Sequence, residues 1–405
     1  MPITRADAEA LDRADPLAWL RDRFAPGAPG VIALDGNSLG RPPAATTARL
    51  EALVNDWAER RVDAWDDWMK LPFAVGDLLA GEFLGARPGE VVVCDSTSVN
   101  LYKLGAAALH AAGDHRSVVV TDDDNFPTDR YVLAGLAARR GGSVRFVTTD
   151  PVDGVDPDRV ATALGPDVGL LSLSHVAYRS GALADMAAIN DVARRAGVAV
   201  LWDVSHSAGA VPIDLEGTGS ELAVGCTYKY LCGGPGAPAF LYVRESLQTV
   251  LQQPIWGWFS QHDQFAMGPV YDPVDDIGRF TIGTPPVLGL VCVEEAARLL
   301  ADAGIDALRA KGIALGEVMV ALADEWLAPC GVRLASPRPS ARRGNHVAFA
   351  HPLAETLCRL AAEHGVAGDF RAPDRLRLGP SPAATTFVDV WDAFDRLRAL
   401  AATLP

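Results

Sequence analysis

The stretch VAVLWDVSHSAG (residues 198–209) decides the fold class, because an apolar run passes directly into a polar segment. Six other short runs have the same form: EVVVCDS (90–96), SVVVTDD (117–123), SVRFVTTD (143–150), VGLLSLS (168–174), AVGCTYK (223–229) and AFLYV (239–243). Alanine-rich helical stretches such as MAAINDVARRAG (186–197) separate most of these runs. Continuous β-branched runs that alternate with helices predict an α/β fold, with a mostly parallel sheet between two layers of helices.

The domain organisation follows from a change of character after about residue 287. Long helical patterns begin there, and two short strand candidates follow, VRLAS (332–336) and NHVAFA (345–350). The last helix begins with Thr386 and Asp389 at capping-box spacing. We therefore expect an N-terminal segment (1–42) that packs with a smaller α+β domain (287–405), and a large domain (43–286) between them. The Pro285-Pro286 pair is a natural hinge.

Composition excludes several classes of protein. The formal net charge of −15 argues against nucleic acid or an anionic membrane as a partner. The sequence has no apolar window long enough to span a membrane, and its acidic start does not resemble a signal peptide. The six cysteines are scattered, which favours reduced thiols in a cytoplasmic protein and predicts no metal site.

Lys229, in TYKYLCGGPG (227–236), has two interpretations. A lysine near the end of a buried strand often extends its charged end to solvent. Alternatively, partial desolvation favours the neutral amine, which forms Schiff bases with aldehydes such as pyridoxal phosphate. Ligands of parallel sheets bind beyond the carboxyl ends of the strands, where this lysine lies.

Other polar clusters at the predicted strand ends suit the same cofactor. Asp203 suits a pyridine nitrogen, with His206 beside it, although a turn cap and a buried histidine explain these residues equally well. The helix start at Thr97 and Ser98 suits a phosphate, although an ordinary N-cap has the same sequence. Phe126 suits ring stacking, although a core phenylalanine is common. An aspartate after one strand and a lysine after the next is the more specific signal.

The chain resembles the kynureninase family, which has the aspartate-aminotransferase fold. The matching stretches run through nearly the whole chain: LDGNSLG (34–40), STSVNL (96–101), FPTD (126–129), SGALADM (180–186), WDVSHSAGAV (202–211), YKYLCGGPG (228–236), GWFSQH (257–262) and RLGPSP (377–382). The combination of the lysine motif with GNSLG and GWF distinguishes this family from the cysteine desulfurases, which share the fold.

The resemblance implies a pyridoxal 5′-phosphate enzyme that hydrolyses L-kynurenine to anthranilate and L-alanine in tryptophan catabolism. It also implies a homodimer with shared active sites and no metal. Lys229 would form the Schiff base and act as the base at Cα, Asp203 would pair with the pyridine nitrogen, and Tyr228 would carry a proton. The implied cofactor-binding residues are Thr97, Ser98, Phe126, Asp129, Ser174, Asp203, His206, Tyr228, Lys229 and, from the second subunit, Trp258 and Thr284.

Substrate contacts are implied at Arg377, Asn37, Trp65 and Gly283, with Arg377 offering a two-pronged fork to the α-carboxylate. Trp65 lies at the end of a predicted helix (43–68), where a core role is equally plausible. Gly283 stands where vertebrate relatives have serine, and it offers no side-chain partner to a ring hydroxyl. The sequence therefore predicts a preference for L-kynurenine over its 3-hydroxy derivative.

Two alternatives stay open at this point. A cysteine desulfurase or an aminotransferase-like enzyme would share the fold, and a desulfurase needs a nucleophilic cysteine on a mobile loop. Cys330 is the loop candidate, but it lies just before a predicted strand. A ligand-binding protein without activity is the second alternative, and the presence of both Lys229 and Asp203 argues against it.

Overall fold

The computed structural model describes residues 3–404. The strands within this range are β1 (Ile32–Ala33), β2 (Val91–Val93), β3 (Val118–Asp122), β4 (Val144–Val147), β5 (Val168–Ser174), β6 (Ala199–Asp203), β7 (Leu222–Gly225), β8 (Phe240–Val243), β9 (Arg333–Leu334), β10 (Val347–Ala350), β11 (Val366–Ala367), β12 (Asp369–Arg371) and β13 (Arg375–Leu378). The α-helices are α1 (Arg5–Ala14), α2 (Ala18–Arg21), α3 (Thr46–Arg60), α4 (Trp65–Trp68), α5 (Leu71–Leu79), α6 (Thr97–Ala112), α7 (Pro127–Arg139), α8 (Pro157–Ala163), α9 (Met186–Ala196), α10 (Glu245–Gln248), α11 (Val287–Ala303), α12 (Ile305–Leu322), α13 (Ala354–Glu363) and α14 (Phe387–Ala401).

The central sheet has seven strands in the order β2-β8-β7-β6-β5-β3-β4. Strand β8 runs antiparallel to both of its neighbours, and the other pairings are parallel. Each of the seven apolar runs of the sequence forms one of these strands. The predicted α/β fold with a mostly parallel sheet is thereby confirmed.

Both faces of the central sheet are largely buried, which explains why its strands are mostly apolar; the edge strand β4 is the exception, with Phe146 51% exposed. In β2, Val91 and Val93 join one hydrophobic core and Val92 joins the other. In β3, Val118 and Val120 join the first core and Val119 joins the second. Successive side chains of a strand point to opposite faces, so each face requires an apolar residue at its own positions.

The C-terminal part of the chain builds a four-stranded antiparallel sheet in the order β12-β13-β10-β9, which packs with helices α12, α13 and α14 around its own core. The capping box of Thr386 and Asp389 forms as predicted. Strand β1 of the N-terminal segment pairs in parallel with β11. Helix α11 contributes Leu290 and Val293 to the core of the central sheet. The domain boundaries at residues 42 and 286 stay predictions.

A membrane-spanning helix and a metal-binding cluster are both absent from residues 3–404. None of the helices is long and apolar enough to cross a membrane. No cluster of metal-ligating side chains occurs in the part of the chain that the structure describes. All six cysteines are free thiols, and three of them, Cys94, Cys226 and Cys232, are buried.

Candidate active site

A cavity of about 420 Å³ lies at the carboxyl ends of the central strands. Ser174 and Asp203 are the last residues of β5 and β6, and they lie side by side in the register of these two strands. Nine of the predicted cofactor-binding residues line this one cavity: Thr97, Ser98, Phe126, Asp129, Ser174, Asp203, His206, Tyr228 and Lys229. The geometry therefore brings together residues that are up to 132 positions apart in the sequence.

Lys229 lies in a tight turn four residues beyond the end of β7 at Gly225. The turn is closed by hydrogen bonds from the Cys232 and Gly233 amides, and Cys232 has a φ of 57°. Gly40 packs against this turn so closely that a Cβ there would lie 2.2 Å from the Lys229 carbonyl oxygen. The glycine of GNSLG is thus required by the lysine turn.

The amine of Lys229 faces the cavity. Its Nζ lies 3.2 Å from Nε2 of His206 and 5.8 Å from the centre of the Tyr228 ring. Burial and, after it, the positive charge of Lys229 hold the pKa of His206 well below its usual range. His206 is therefore neutral, and its Nε2 accepts a hydrogen bond from the Lys229 amine. Burial also raises the pKa of the Tyr228 phenol, which keeps its proton near neutral pH.

Two carboxyl groups share the floor of the cavity. Asp203 is buried, and its Oδ1 accepts a hydrogen bond of 2.7 Å from the Ser205 amide. Asp129 is also buried, and its Oδ2 has no hydrogen-bond partner among the described residues. Burial and the charge of Asp203 raise the pKa of Asp129 well above its usual value. Asp129 therefore holds a proton more readily than an exposed carboxyl group does.

The N-terminus of α6 forms one wall of the cavity. Ser96 caps this helix by accepting a hydrogen bond from the Val99 amide, and Thr97 and Ser98 make up its first turn. Asp95, just before the cap, has a φ of 51° and forms a 2.6 Å ion pair with the fully buried Lys103. Lys103 thus offsets the charge of Asp95 beside a helix end that favours an anion.

Phe126 stands at the opening of α7, and Pro127 takes the first helical position as predicted. Its ring is 38% exposed, unlike a core phenylalanine. One edge contact supports it, with the Tyr178 ring 5.4 Å away and nearly perpendicular. Asn125 fixes the turn because its Oδ1 accepts from both the Phe126 amide and the Ser174 hydroxyl. The ring is held in place with a face free to stack.

Arg377 differs from its expected arrangement. It lies on β13 with its side chain 2% exposed. Its Nε and Nη2 each lie 2.5 Å from a carboxylate oxygen of Asp369, and its Nη1 donates to the Tyr178 carbonyl. The two-pronged edge that the sequence assigned to a substrate is therefore occupied by Asp369. Asn37, fully buried, directs its amide toward the same carboxylate at 3.4 Å.

Four other predicted residues do not line the cavity in a single chain. Trp258 and Thr284 are exposed, and so is Gly283, where an added Cβ would meet no atom within 4 Å. Trp65 packs edge-on against Trp68 at 5.2 Å, in a small cluster of its own. The predicted helix over 43–68 is also interrupted, because α3 ends before Arg61, which has a φ of 53°.

Sequence reasoning missed several residues of the cavity and its surroundings. Thr128 and Ser205 line the cavity and lie inside the recognised motifs FPTD and WDVSHSAGAV, and Cys226 lies two residues before YKYLCGGPG, so the position within or beside a motif was a usable signal. Asp369 and His346 carried no such signal. His346 is fully buried, its ring lies 5.5 Å from that of His206, and neither of its nitrogens has a partner within the described range.

Two family models match different parts of the chain, and curated relatives match nearly all of it. The family model of the kynureninase C-terminal domain matches residues 308–397, and that of the DegT/DnrJ/EryC1/StrS aminotransferase family matches residues 80–220. Kynureninase of Burkholderia pseudomallei (strain K96243) is 42% identical over 401 residues, which cover 98% of this chain and 95% of the relative. Kynureninase of Pseudomonas fluorescens is 41% identical over 398 residues, with coverages of 96% and 94%.

Solved structures with the same fold are more distant in sequence. The cysteine desulfurase CsdA from Escherichia coli has a TM-score of 0.82 at 17% identity, with 96% of this chain and 99% of that chain covered. A C-DES variant with glycine covalently linked to its PLP cofactor has a TM-score of 0.82 at 20% identity, with coverages of 95% and 99%. At these identities the likeness establishes the fold alone.

Proposed function

The chain belongs to the kynureninase family, and from this premise we propose that it hydrolyses L-kynurenine to anthranilate and L-alanine. One observation carries the proposal: the Lys229 amine, the Asp203 carboxylate and the Phe126 ring surround a single cavity at the strand ends. An amine, a carboxylate and a free aromatic face are the three groups that an aromatic aldehyde cofactor requires.

Pyridoxal phosphate is the cofactor, and when bound it supplies an electron sink for breaking bonds at the substrate's α and β carbons. The residues of the cavity fit it. Asp203 would pair with the pyridinium nitrogen, with protonated Asp129 beside it, and Phe126 would stack on the ring. The α6 N-terminus, with Thr97 and Ser98, would hold the phosphate.

Lys229 would anchor the cofactor through its Nζ. Once free, the same amine would be placed to take the proton from Cα of the substrate. Neutral His206, 3.2 Å away, accepts a hydrogen bond from this amine and so fixes its position. The raised pKa of Asp129 favours its protonated form beside Asp203, which would pair with the pyridinium nitrogen.

Tyr228 is the proposed proton donor to the ketone of the substrate. Its phenol stays protonated at neutral pH, so it can donate to the ketone oxygen when water adds to the carbonyl carbon. Cleavage of the Cβ–Cγ bond would then leave the former carbonyl carbon, Cγ, as the carboxylate of anthranilate. Cβ takes up a proton and becomes the methyl group of alanine. One water is consumed, and no oxidant is needed.

The test is incubation of the cofactor-loaded protein with L-kynurenine. We expect anthranilate and L-alanine in equal amounts, followed by fluorescence and chromatography. Production of neither compound, with cofactor absorbance present, would refute the proposal.

Cysteine desulfurase is the alternative that the fold neighbours favour, since several solved structures of this fold carry that name. The candidate nucleophile does not suit the role. Cys330 ends a short 3-10 helix, Ala328–Cys330, and packs against the core of the C-terminal sheet. It is therefore held in place rather than carried on a mobile loop. Release of alanine and sulfur from L-cysteine at a rate that exceeds kynurenine cleavage would reverse this ranking.

The active form is a homodimer in which Trp258 and Thr284 reach the partner's site. Exposed apolar side chains support this proposal: Trp258, Phe265, Met267 and Val270 in the segment 258–270, and Trp57 and Leu288 on the contacting helices α3 and α11. Such side chains stabilise a folded protein when a second subunit covers them.

A complementation experiment tests the shared site. Co-expressed Lys229→Ala and Trp258→Ala chains would form mixed dimers in which one site has both an intact lysine and an intact tryptophan. We expect measurable activity in the mixture when each variant alone is inactive. If the tryptophan serves its own chain, the mixture stays as inactive as its components.

A further inference from the structure

Arg377 has few N–H groups left for a substrate. A guanidinium carries five N–H donors. Two of them meet Asp369 at 2.5 Å, and a third meets the Tyr178 carbonyl. The pair with Asp369 uses the edge formed by Nε and Nη2, so the remaining donors belong to Nη1 and Nη2 at the tip of the side chain.

Asp369 is itself held from several sides. It lies opposite Arg377 in the antiparallel register of β12 and β13. Its Oδ2 accepts from the Ser38 hydroxyl and is 3.4 Å from the Asn37 amide. Arg371 lies 3.3 Å from the same oxygen. The cavity lining does not explain the role of the LDGNSLG segment. Its Ser38 and Asn37 contact the Asp369 carboxylate, and this carboxylate in turn pairs with Arg377.

The charges of this cluster favour one additional anion. Two guanidinium groups, of Arg371 and Arg377, surround the single carboxylate of Asp369. Arg371 is 36% exposed and is partly screened by solvent, so the buried positive charge available to a substrate is that of Arg377. The neighbouring His346 is neutral, because burial and the charge of Arg377 lower its pKa to about 3. A substrate carboxylate at the tip of Arg377 would balance the cluster.

We propose that Asp369 is a positioning residue for substrate binding, which holds the inner edge of Arg377 so that the outer N–H groups meet the α-carboxylate. Asn37 and Ser38 act through Asp369 in this arrangement rather than by touching the substrate. The inference rests on the proposed function for the identity of the substrate. It requires only that the substrate be an α-amino acid.

If Asp369 had the opposite role, the effect of removing its charge on substrate affinity would have the opposite sign. If Asp369 instead competes with the substrate for Arg377, removing its charge would tighten binding. If Asp369 orients Arg377, removing its charge would release the guanidinium to rotate and to pair with carbonyl groups nearby. A charge-assisted, two-pronged contact also fixes geometry more firmly than a neutral one.

The test compares Asp369→Asn with Asp374→Asn in the cofactor-loaded enzyme. Asp374 forms a 2.6 Å ion pair with Arg375 on the same strand as Arg377, so it is a matched control. We expect Asp369→Asn to raise KM for L-kynurenine by about ten-fold or more, with kcat changed by less than about three-fold. The control should leave both values unchanged. An unchanged or lowered KM in Asp369→Asn would overturn the inference.

Two further measurements separate positioning from general damage. Asp369→Glu should recover part of the lost affinity, and Asp369→Asn should add little to the defect of Arg377→Ala, because both act on one contact. Additive defects in the double variant would overturn the inference.

Titration with L-alanine, followed by the cofactor's visible absorbance, reports carboxylate binding without any cleavage. Failure of kynurenine hydrolysis in the wild-type protein would thus refute the proposed function and leave this titration as a separate test.

Discussion

Replacing His346 with glutamine should make the protein more resistant to acid, relative to the wild type. His346 is fully buried and neutral, because burial lowers its pKa from 6.5 to about 3. Arg377 and Lys229 face it and lower the pKa further, while Asp369 and the Tyr178 backbone act against this shift. In the unfolded chain the same imidazole takes up a proton near its ordinary pKa. Its contribution to stability is therefore present above about pH 6.5 and is lost as the pH falls.

The magnitude follows from the two pKa values. Between about pH 7.5 and about pH 5, one such histidine costs about 2 kcal/mol of unfolding free energy. His175 and His206 add losses of the same sign. Asp122 and Asp129 oppose them, because burial raises the pKa of Asp122 to about 7 and that of Asp129 well above its usual value. The opposing contributions offset one another in the wild type, so the variant is informative only as a difference.

The assay is urea unfolding of both proteins at the two pH values, with the same concentration of cofactor. We expect the stability of His346→Gln, relative to wild type, to improve by about 2 kcal/mol at the lower pH. The exposed His115 is the control, and His115→Gln should leave the difference near zero. If the difference in unfolding free energy between His346→Gln and the wild type does not change with pH, the folded protein binds a proton at His346 and the prediction is wrong.

Three other predictions concern the active site. Lys229→Ala should abolish turnover, and borohydride should no longer attach the cofactor to the peptide containing residue 229; a retained covalent link would show that another amine serves. Arg377→Ala should raise KM by a factor of tens to several hundred, for a loss of about 2–4 kcal/mol, while cofactor affinity holds; the reverse pattern would make Arg377 structural. L-Kynurenine should be preferred over its 3-hydroxy derivative by about ten-fold in kcat/KM. Gly283→Ser, which meets no steric obstacle, should reduce that ratio, and an unchanged ratio would exclude this position.

The parts that could be predicted from the sequence are those that local signals determine. A strand that is buried on both faces must be apolar throughout, so the seven strands of the central sheet were recognisable one at a time. The polar residues that follow them then had to meet at one edge, because parallel strands share the direction of their carboxyl ends. Asp203 and Lys229 were placed in this way without any knowledge of the contacts between them.

The parts that were missed depend on pairings between distant segments. Strands β12 and β13 were not predicted, because Asp369–Arg371 and Arg375–Leu378 alternate charged with apolar residues instead of forming an apolar run. Arg375 and Arg377 are nevertheless buried. From a sequence pattern alone, an arginine is expected at the surface. A paired carboxylate offsets the free-energy cost of burying its charge.

The same reasoning explains why the resemblance named Arg377 as a substrate contact but gave no partner for it in the free chain. A motif such as RLGPSP contains no information on which carboxylate compensates the arginine. That carboxylate, Asp369, lies eight residues earlier on the neighbouring strand, and its other partner, Ser38, lies 331 residues away. Burying a guanidinium requires a counter-charge in the free enzyme as well as in the complex. Arg377, whose side chain is 2% exposed, therefore already has a partner in the free protein, and under our proposal the substrate would add a second one.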